Sequence, residues 1–182
     1  MKKHLKTLLP IVLVIALALA LSIAVFASGS TNEAKIGDTE YATLEEAVTA
    51  ANASGNATIV LLKDINRTVT KMGFTKNTTI DLNGHTVSAT NPASTADPLM
   101  AVSAPNVTLT LSGKGTFNVA QKFLQISSNN DGAKIIVNGT DSGIVINQSA
   151  PQAALMINSG AGAEFTNAHV YATAPEFIIN AA

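Results

Sequence analysis

Few residues in this chain have catalytic chemistry to offer. Cys and Trp are absent, Arg67 is the one arginine, and there are three histidines. Disulfides, thiolate chemistry and sulfur-ligated metals are therefore excluded. Hydrolysis of a sugar chain needs two or three carboxylates converging on one bond. Elimination needs acids that hold calcium beside a basic side chain. The candidate acids are Asp64, Asp81, Asp97, Asp131, Asp141, Glu164 and Glu176. Asp81 lies between Ile80 and Leu82 and so faces away from an apolar strand face. Its expected equivalents further along, Thr110 and Ile136, are not acids. Asp131 in Asn129-Asn130-Asp131-Gly132 and Asp141 in Thr140-Asp141-Ser142-Gly143 fit Asx turns. Arg67 has Asp64 nearby in sequence, which reads as a solvated charge pair. His85 and His169 are 84 residues apart. Three coil spacings, about 14 Å, would separate them, too far for one metal ion. The sequence therefore offers no catalytic residue, no metal site and no cofactor site.

Binding chemistry is equally sparse. Sugar recognition favours exposed aromatics or a lined groove, and only 4% of the residues are aromatic. Phe74 and Phe123 are the candidates for an exposed platform, while Phe117 and Tyr171 read as core. Asn-x-Ser/Thr triplets such as Asn66-Arg-Thr and Asn138-Gly-Thr follow from an Asn- and Thr-rich composition.

The elements that would position these residues begin with an export segment. Lys2, Lys3, His4 and Lys6 precede an almost wholly apolar run, Ile11 to Phe26, and Val25-Phe26-Ala27 offers a cleavage site before Ser28. This is the pattern of a secretory signal peptide over residues 1–27. The membrane is then met only through that segment, before cleavage. Its removal leaves 8 basic and 12 acidic residues, a net charge of −4. Such a balance provides no basic footprint for nucleic acid. Residues 28–35 read as a linker.

Next come two short strands around Gly37-Asp38, then a helix. Thr43 followed by Glu46 makes a capping box, in which each side chain can satisfy the other's free backbone N–H. Leu44, Ala47, Val48 and Ala51 form one apolar helical face, and Asn52 to Gly55 stops it. Glu45 and Glu46 point in different directions and suit a helix N-terminus, so they are structural acids rather than a catalytic pair.

From Thr58 onward short β-rich runs alternate with Asn, Gly, Ser and Pro breaks. Three strand classes recur in fixed order. The first ends at Asn83, Ser112, Asn138 and Asn167, with steps of 29, 26 and 29 residues. These are the expected corner positions, where Asn tolerates a left-handed backbone and stacked amides can bond along an axis. Leu82, Leu111 and Val137 form the matching inward column. The fourth coil fits only if either Phe165 or Thr166 faces inward, a one-residue difference that reverses the face. The second class centres on Val87, Phe117, Val145 and Tyr171. The third centres on Val102, Ile126, Ile157 and Ile179. Three strands per period of about 22–31 residues describe an all-β, right-handed parallel β-helix solenoid with a short N-terminal capping helix.

Three stretches carry a resemblance: Ile36-Gly-Asp-Thr-Glu-Tyr-Ala-Thr-Leu-Glu-Glu-Ala-Val48, Ala57-Thr-Ile-Val-Leu-Leu-Lys-Asp-Ile65 and Asn77-Thr-Thr-Ile-Asp-Leu-Asn-Gly-His-Thr-Val87. They resemble the start of the pectin-lyase-like β-helix regions on surface proteins of Gram-positive bacteria. The resemblance implies that residues 36–182 form a capped β-helix outside the cell, secreted or on the surface. It leaves activity open, because this fold carries enzymes and inert stalks alike. The last run, Phe177-Ile-Ile-Asn180, is a third-class strand with no capping repeat after it, so a truncated array continuing into further coils is expected. Three functions follow as expectations. The first is a non-catalytic module of an adhesin-like or stalk protein. The second is the N-terminal part of a polysaccharide lyase or glycoside hydrolase. The third is a glycan-binding module using Phe74 and Phe123. Its partner would be a polysaccharide or host glycan.

Overall fold

The structure, a computed structural model, describes residues 30–68, 71–91, 93–152, 154–157, 160–173 and 177–179. The expected signal peptide, residues 1–27, lies outside them, as do Glu176 and Asn180. The chain divides into two units, Met1–Thr31 and Asn32–Ala182. Everything below concerns the second.

That unit is a parallel β-solenoid of about 3 turns. An antiparallel hairpin opens it, β1 (Ala34–Ile36) and β2 (Thr39–Tyr41), turning at Gly37. Strand β1 therefore starts inside the stretch expected to be linker, and Ala34 is fully buried. It also pairs antiparallel with β3 (Ala57–Leu61), so the first parallel strand has no bare edge there.

Between them runs helix α1 (Leu44–Ser54). The Thr43 side chain accepts from Glu46 N at 3.2 Å, the expected cap. Glu33 shares this role, accepting from Leu44 N at 2.9 Å. Leu44, Ala47, Val48 and Ala51 are buried, as their spacing requires. Asn52 ties the helix to the third face, donating to Gly73 O at 2.8 Å and accepting from Thr75 N at 2.9 Å.

Three ladders then stack. The first face carries β3, β6 (Thr78–Asp81), the leading part of β9 (Thr108–Val119), that of β11 (Lys134–Gln148), and β13 (Gly162–Thr166). The second carries β4 (Ile65–Thr68), β7 (Thr86–Thr90), the trailing parts of β9 and β11, and β14 (Ala168–Ala172). The third carries β5 (Met72–Phe74), β8 (Met100–Val102), β10 (Leu124–Ile126), β12 (Leu155–Ile157) and β15 (Phe177–Ile179).

Register decides which side chains are inside. On the third face Phe74, Val102, Ile126 and Ile157 align as a buried column, so the expected set gains Phe74, and the backbone of Ile179 pairs in register with Ile157. On the first face the column is Ile80, Leu111, Val137 and Phe165. Leu82 is buried but lies past the aligned strand, packed over Gly115. Phe165, not Thr166, faces inward, because Thr166 pairs with Asn138.

The corner expectation needs the same correction. Ser112 pairs with Asn138, and Asn138 in turn with Thr166, inside the ladder, whereas Asn83 and Asn167 sit beyond it with φ of 50° and 48°. Those two do adopt the left-handed backbone, but their amides donate to the backbone, Asn83 to Leu61 O and Asn167 to Asp141 O. Ser112 and Asn138 are strand residues, and the left-handed positions of their corners fall to Gly113 and Asp141.

On the second face the column is Val87, Phe117, Ile146 and Val170. Val145 and Tyr171 are each displaced by one residue from the expected column and face outward. The corners differ in length: Thr140–Gly143 insert between the paired positions Gly139 and Ile144 of β11, whereas Asn167 alone separates β13 from β14 before Tyr171. A one-residue change of phase exchanges the inner and outer sets.

Candidate functional site

The displaced Tyr171 is 62% exposed, the one large apolar side chain so placed among the described residues. It closes a row of outward side chains across the second face: Asn66, Ser88, Asn118, Asn147 and Tyr171. Two bonds link the middle of the row. Asn118 Nδ2 donates to Ser88 Oγ at 3.3 Å, and Asn147 Nδ2 donates to Asn118 Oδ1 at 2.9 Å. The stacked amides expected at Asn83, Ser112, Asn138 and Asn167 thus occur here instead, on a face where three consecutive outward positions are short and polar.

Beside this row runs a second, at the end of β7 and just past the ends of β9, β11 and β14: Thr90, Ala120, Ser149 and Thr173. Its backbone continues the ladder, with Ala120 N donating to Ala89 O and Ser149 N to Val119 O. Between the rows lies a groove of about 530 Å³. It crosses five adjacent strands, so it is about 19 Å long at the usual strand spacing. Among the described residues no Asp, Glu, Lys, Arg or His lines it.

Gln148 lies in the floor, 2% exposed, at a position where the neighbouring strands place Val119 and Ala172. Its Nε2 donates to Gln121 O at 3.2 Å and Gln152 O at 2.9 Å, while its Oε1 is buried with no partner. Sequence reasoning missed Gln148, because an amide in an inward column breaks the apolar alternation used to find the column.

The aromatic pair expected to be exposed is not. Phe74 and Phe123 have 0% and 1% exposure and belong to the core. Phe74 is inward on β5. Phe123 packs on Phe117 with ring centroids 4.8 Å apart, at a corner where Phe123 and Leu124 are both buried. Period-two alternation fails at such a corner. A ligand platform at these residues is therefore overturned.

The charged groups that make ion pairs lie outside the lining of the groove. Arg67 pairs with Glu33 at 2.9 Å and with Glu45, not with Asp64. Arg67 and Glu33 are mostly buried, so this contact clamps the N-terminal hairpin and helix to the first coil and is not a solvated surface pair. Asp64 instead accepts from Thr86 N at 2.8 Å and meets His85 Nδ1 at 3.2 Å. The Thr86 amide, aided by His85, holds the Asp64 carboxyl below its ordinary value. His169 aligns with Thr86, Thr116 and Val145, three strand spacings from the His85 coil and exposed.

Asp81 accepts from Asn83 N at 2.9 Å, the Asx geometry of a turn, and aligns with Ser112 and Asn138 rather than Thr110 and Ile136. Lys114 reaches Asp141 at 3.4 Å on the same corner, both half or more exposed. Among the described residues no three His, Cys, Asp or Glu side chains gather as a metal site. None of the described helices is long and apolar enough to cross a membrane. Comparison with protein-family models, curated proteins and solved structures returns no match for this chain.

Proposed function

We propose that the chain is a non-catalytic β-solenoid module of an exported, cell-surface protein of adhesin-like or stalk type. One observation carries the non-catalytic part of this reading: the described residues that line the groove on the second face are amides, hydroxyls, small apolar groups and Tyr171, with no Asp, Glu, His, Lys or Arg among them. General acid–base work requires a titrating group within reach of the substrate. Elsewhere Asp64 meets His85 and Lys114 meets Asp141, while Glu33 and Glu45 converge on one nitrogen of Arg67, whose guanidinium engages both carboxylates.

Export and surface location rest on the basic head, the apolar run Ile11 to Phe26 and the Val25-Phe26-Ala27 cleavage pattern. Affinity with the pectin-lyase-like regions of Gram-positive surface proteins rests on the three quoted stretches together with the parallel stacking of the coils. A solenoid suits a stalk because each coil contacts only its neighbours and the array is rigid along its axis.

Two measurements test the reading. The full chain is incubated with pectin, alginate and host glycans while new reducing ends and unsaturated products are followed, and no turnover is expected. Turnover would overturn the non-catalytic reading in favour of a polysaccharide lyase or hydrolase. Expression in a secreting bacterial host, with N-terminal sequencing of the exported product, is expected to give Ser28 as the first residue. Retention of the intact N-terminus in the cytoplasm would overturn export.

A further inference from the structure

We infer that the groove on the second face binds a neutral, hydroxyl-rich oligosaccharide lying along the solenoid axis, with Tyr171 as its stacking platform. The inference deepens the proposed function and rests on its non-catalytic reading of the same groove.

Three independent features converge on that ligand class. The groove is elongated along the axis, crossing five strands, which suits a chain rather than a single compact molecule. Its polar groups are repeated at strand spacing and are both donors and acceptors. In the linked row, Asn147 retains its Oδ1, and Asn118 retains one amide hydrogen, for an incoming partner. Hydroxyl groups are matched by that mixture, since each both donates and accepts. An aromatic ring with a polar tip stands exposed at one end of the row. Such a ring is suited to cover the apolar face of a sugar.

Charge argues against acidic chains. Among the described residues no cation lines the groove, and residues 28–182 carry a net charge of −4, so a uronate polymer meets repulsion without a compensating pair. A neutral chain meets none.

The test uses the full chain and defined oligomers. Cellohexaose, xylohexaose, mannohexaose and chitohexaose are titrated calorimetrically, with hexagalacturonate as the acidic probe. At least one neutral oligomer is expected to bind, hexagalacturonate more weakly, and the neutral affinity is expected to be insensitive to salt. Tyr171→Ala is expected to weaken binding about three- to ten-fold, and Tyr171→Phe to stay within about two-fold of the parent. Asn147→Ala is expected to weaken it about three- to ten-fold, and Lys134→Ala, exposed on the first face, to leave it unchanged. These side chains are exposed, and unfolding midpoints confirm that each variant is folded. Absence of binding by every neutral oligomer at millimolar concentration overturns the inference. So does unchanged affinity in Tyr171→Ala and Asn147→Ala, or tighter binding of hexagalacturonate. Self-association of the chain that Tyr171→Ala abolishes also overturns it, because the face is then an interface between copies. Cleavage of a bound oligomer would instead overturn the non-catalytic reading and leave the groove as the binding site.

Discussion

Asn147 donates through Nδ2 to Asn118 Oδ1 at 2.9 Å, and Asn118 passes the bond on to Ser88 Oγ at 3.3 Å. The row ties three coils together from outside, while Ile146, Phe117 and Val87 tie them from within. One strand face thus carries a dry column and a polar row in alternation. Both depend on the same register.

The Asn118–Asn147 bond is exposed, so its contribution is small. A double-mutant cycle with Asn118→Ala and Asn147→Ala in urea unfolding is expected to yield a coupling of roughly 0.2–1 kcal/mol. A coupling of zero would mean that the amides bond to water as readily as to each other.

Phe123 is core, so its truncation is a stability change. Phe123→Ala is expected to cost about 3–5 kcal/mol through lost burial and the cavity left against Phe117. The urea midpoint reads this directly. A loss below about 1 kcal/mol would place the ring at the surface.

Gly115 lies under Leu82 with φ of +156°. A Cβ there would stand 2.4 Å from His85 O and 2.8 Å from Leu82 Cβ. Gly115→Ala is expected to destabilise by at least about 1–3 kcal/mol, because backbone on one side cannot yield as a flexible side chain would. Equal thermal midpoints for parent and variant would contradict that close approach.

Arg67 joins Glu33 of the N-terminal segment to Glu45 of helix α1. Arg67→Ala leaves Glu33, 11% exposed in its side chain, without its counter-charge. The expected loss is about 1–3 kcal/mol, between the values for exposed and buried pairs. Hydrogen exchange should rise first in Leu44–Ser54. Uniform exchange across the solenoid would show that the clamp is not local.

Asp64 titrates below its ordinary 3.8, chiefly because Thr86 N donates to the carboxylate. The stabilisation is therefore fully present above 3.8 and is lost as pH falls through the lower folded value. Asp64→Asn is expected to lower the unfolding midpoint at neutral pH and to converge on the parent in strong acid. A difference that persists unchanged in acid would separate the stabilisation from ionisation.

Much of the solenoid is legible in the residues. The helix cap at Thr43, the buried face Leu44, Ala47, Val48 and Ala51, and the third-face column from Val102 to Ile157 all follow from local spacing. The candidate site is not. Tyr171 reads as core when its strand is aligned by counting residues. Phe74 reads as exposed because three-residue β5, with glycine at its centre, shows too little alternation to assign a face. Phe123 fails for a different reason, since a corner can bury two successive side chains.

By itself the sequence determined a parallel stack of three-strand coils, because repeated β-rich runs at similar steps can bury their apolar faces only against one another. It also determined the scarcity of charge along the chain. Only the tertiary structure decided which residues face the groove. Strand pairing is set by backbone hydrogen bonds across corners of unequal length, and an insertion such as Thr140–Gly143 changes the phase without leaving a mark in the alternation itself. The long corner of β11 placed Gln148, a polar residue, in the floor of the groove, and the one-residue corner at Asn167 moved Tyr171 from the expected core to its rim.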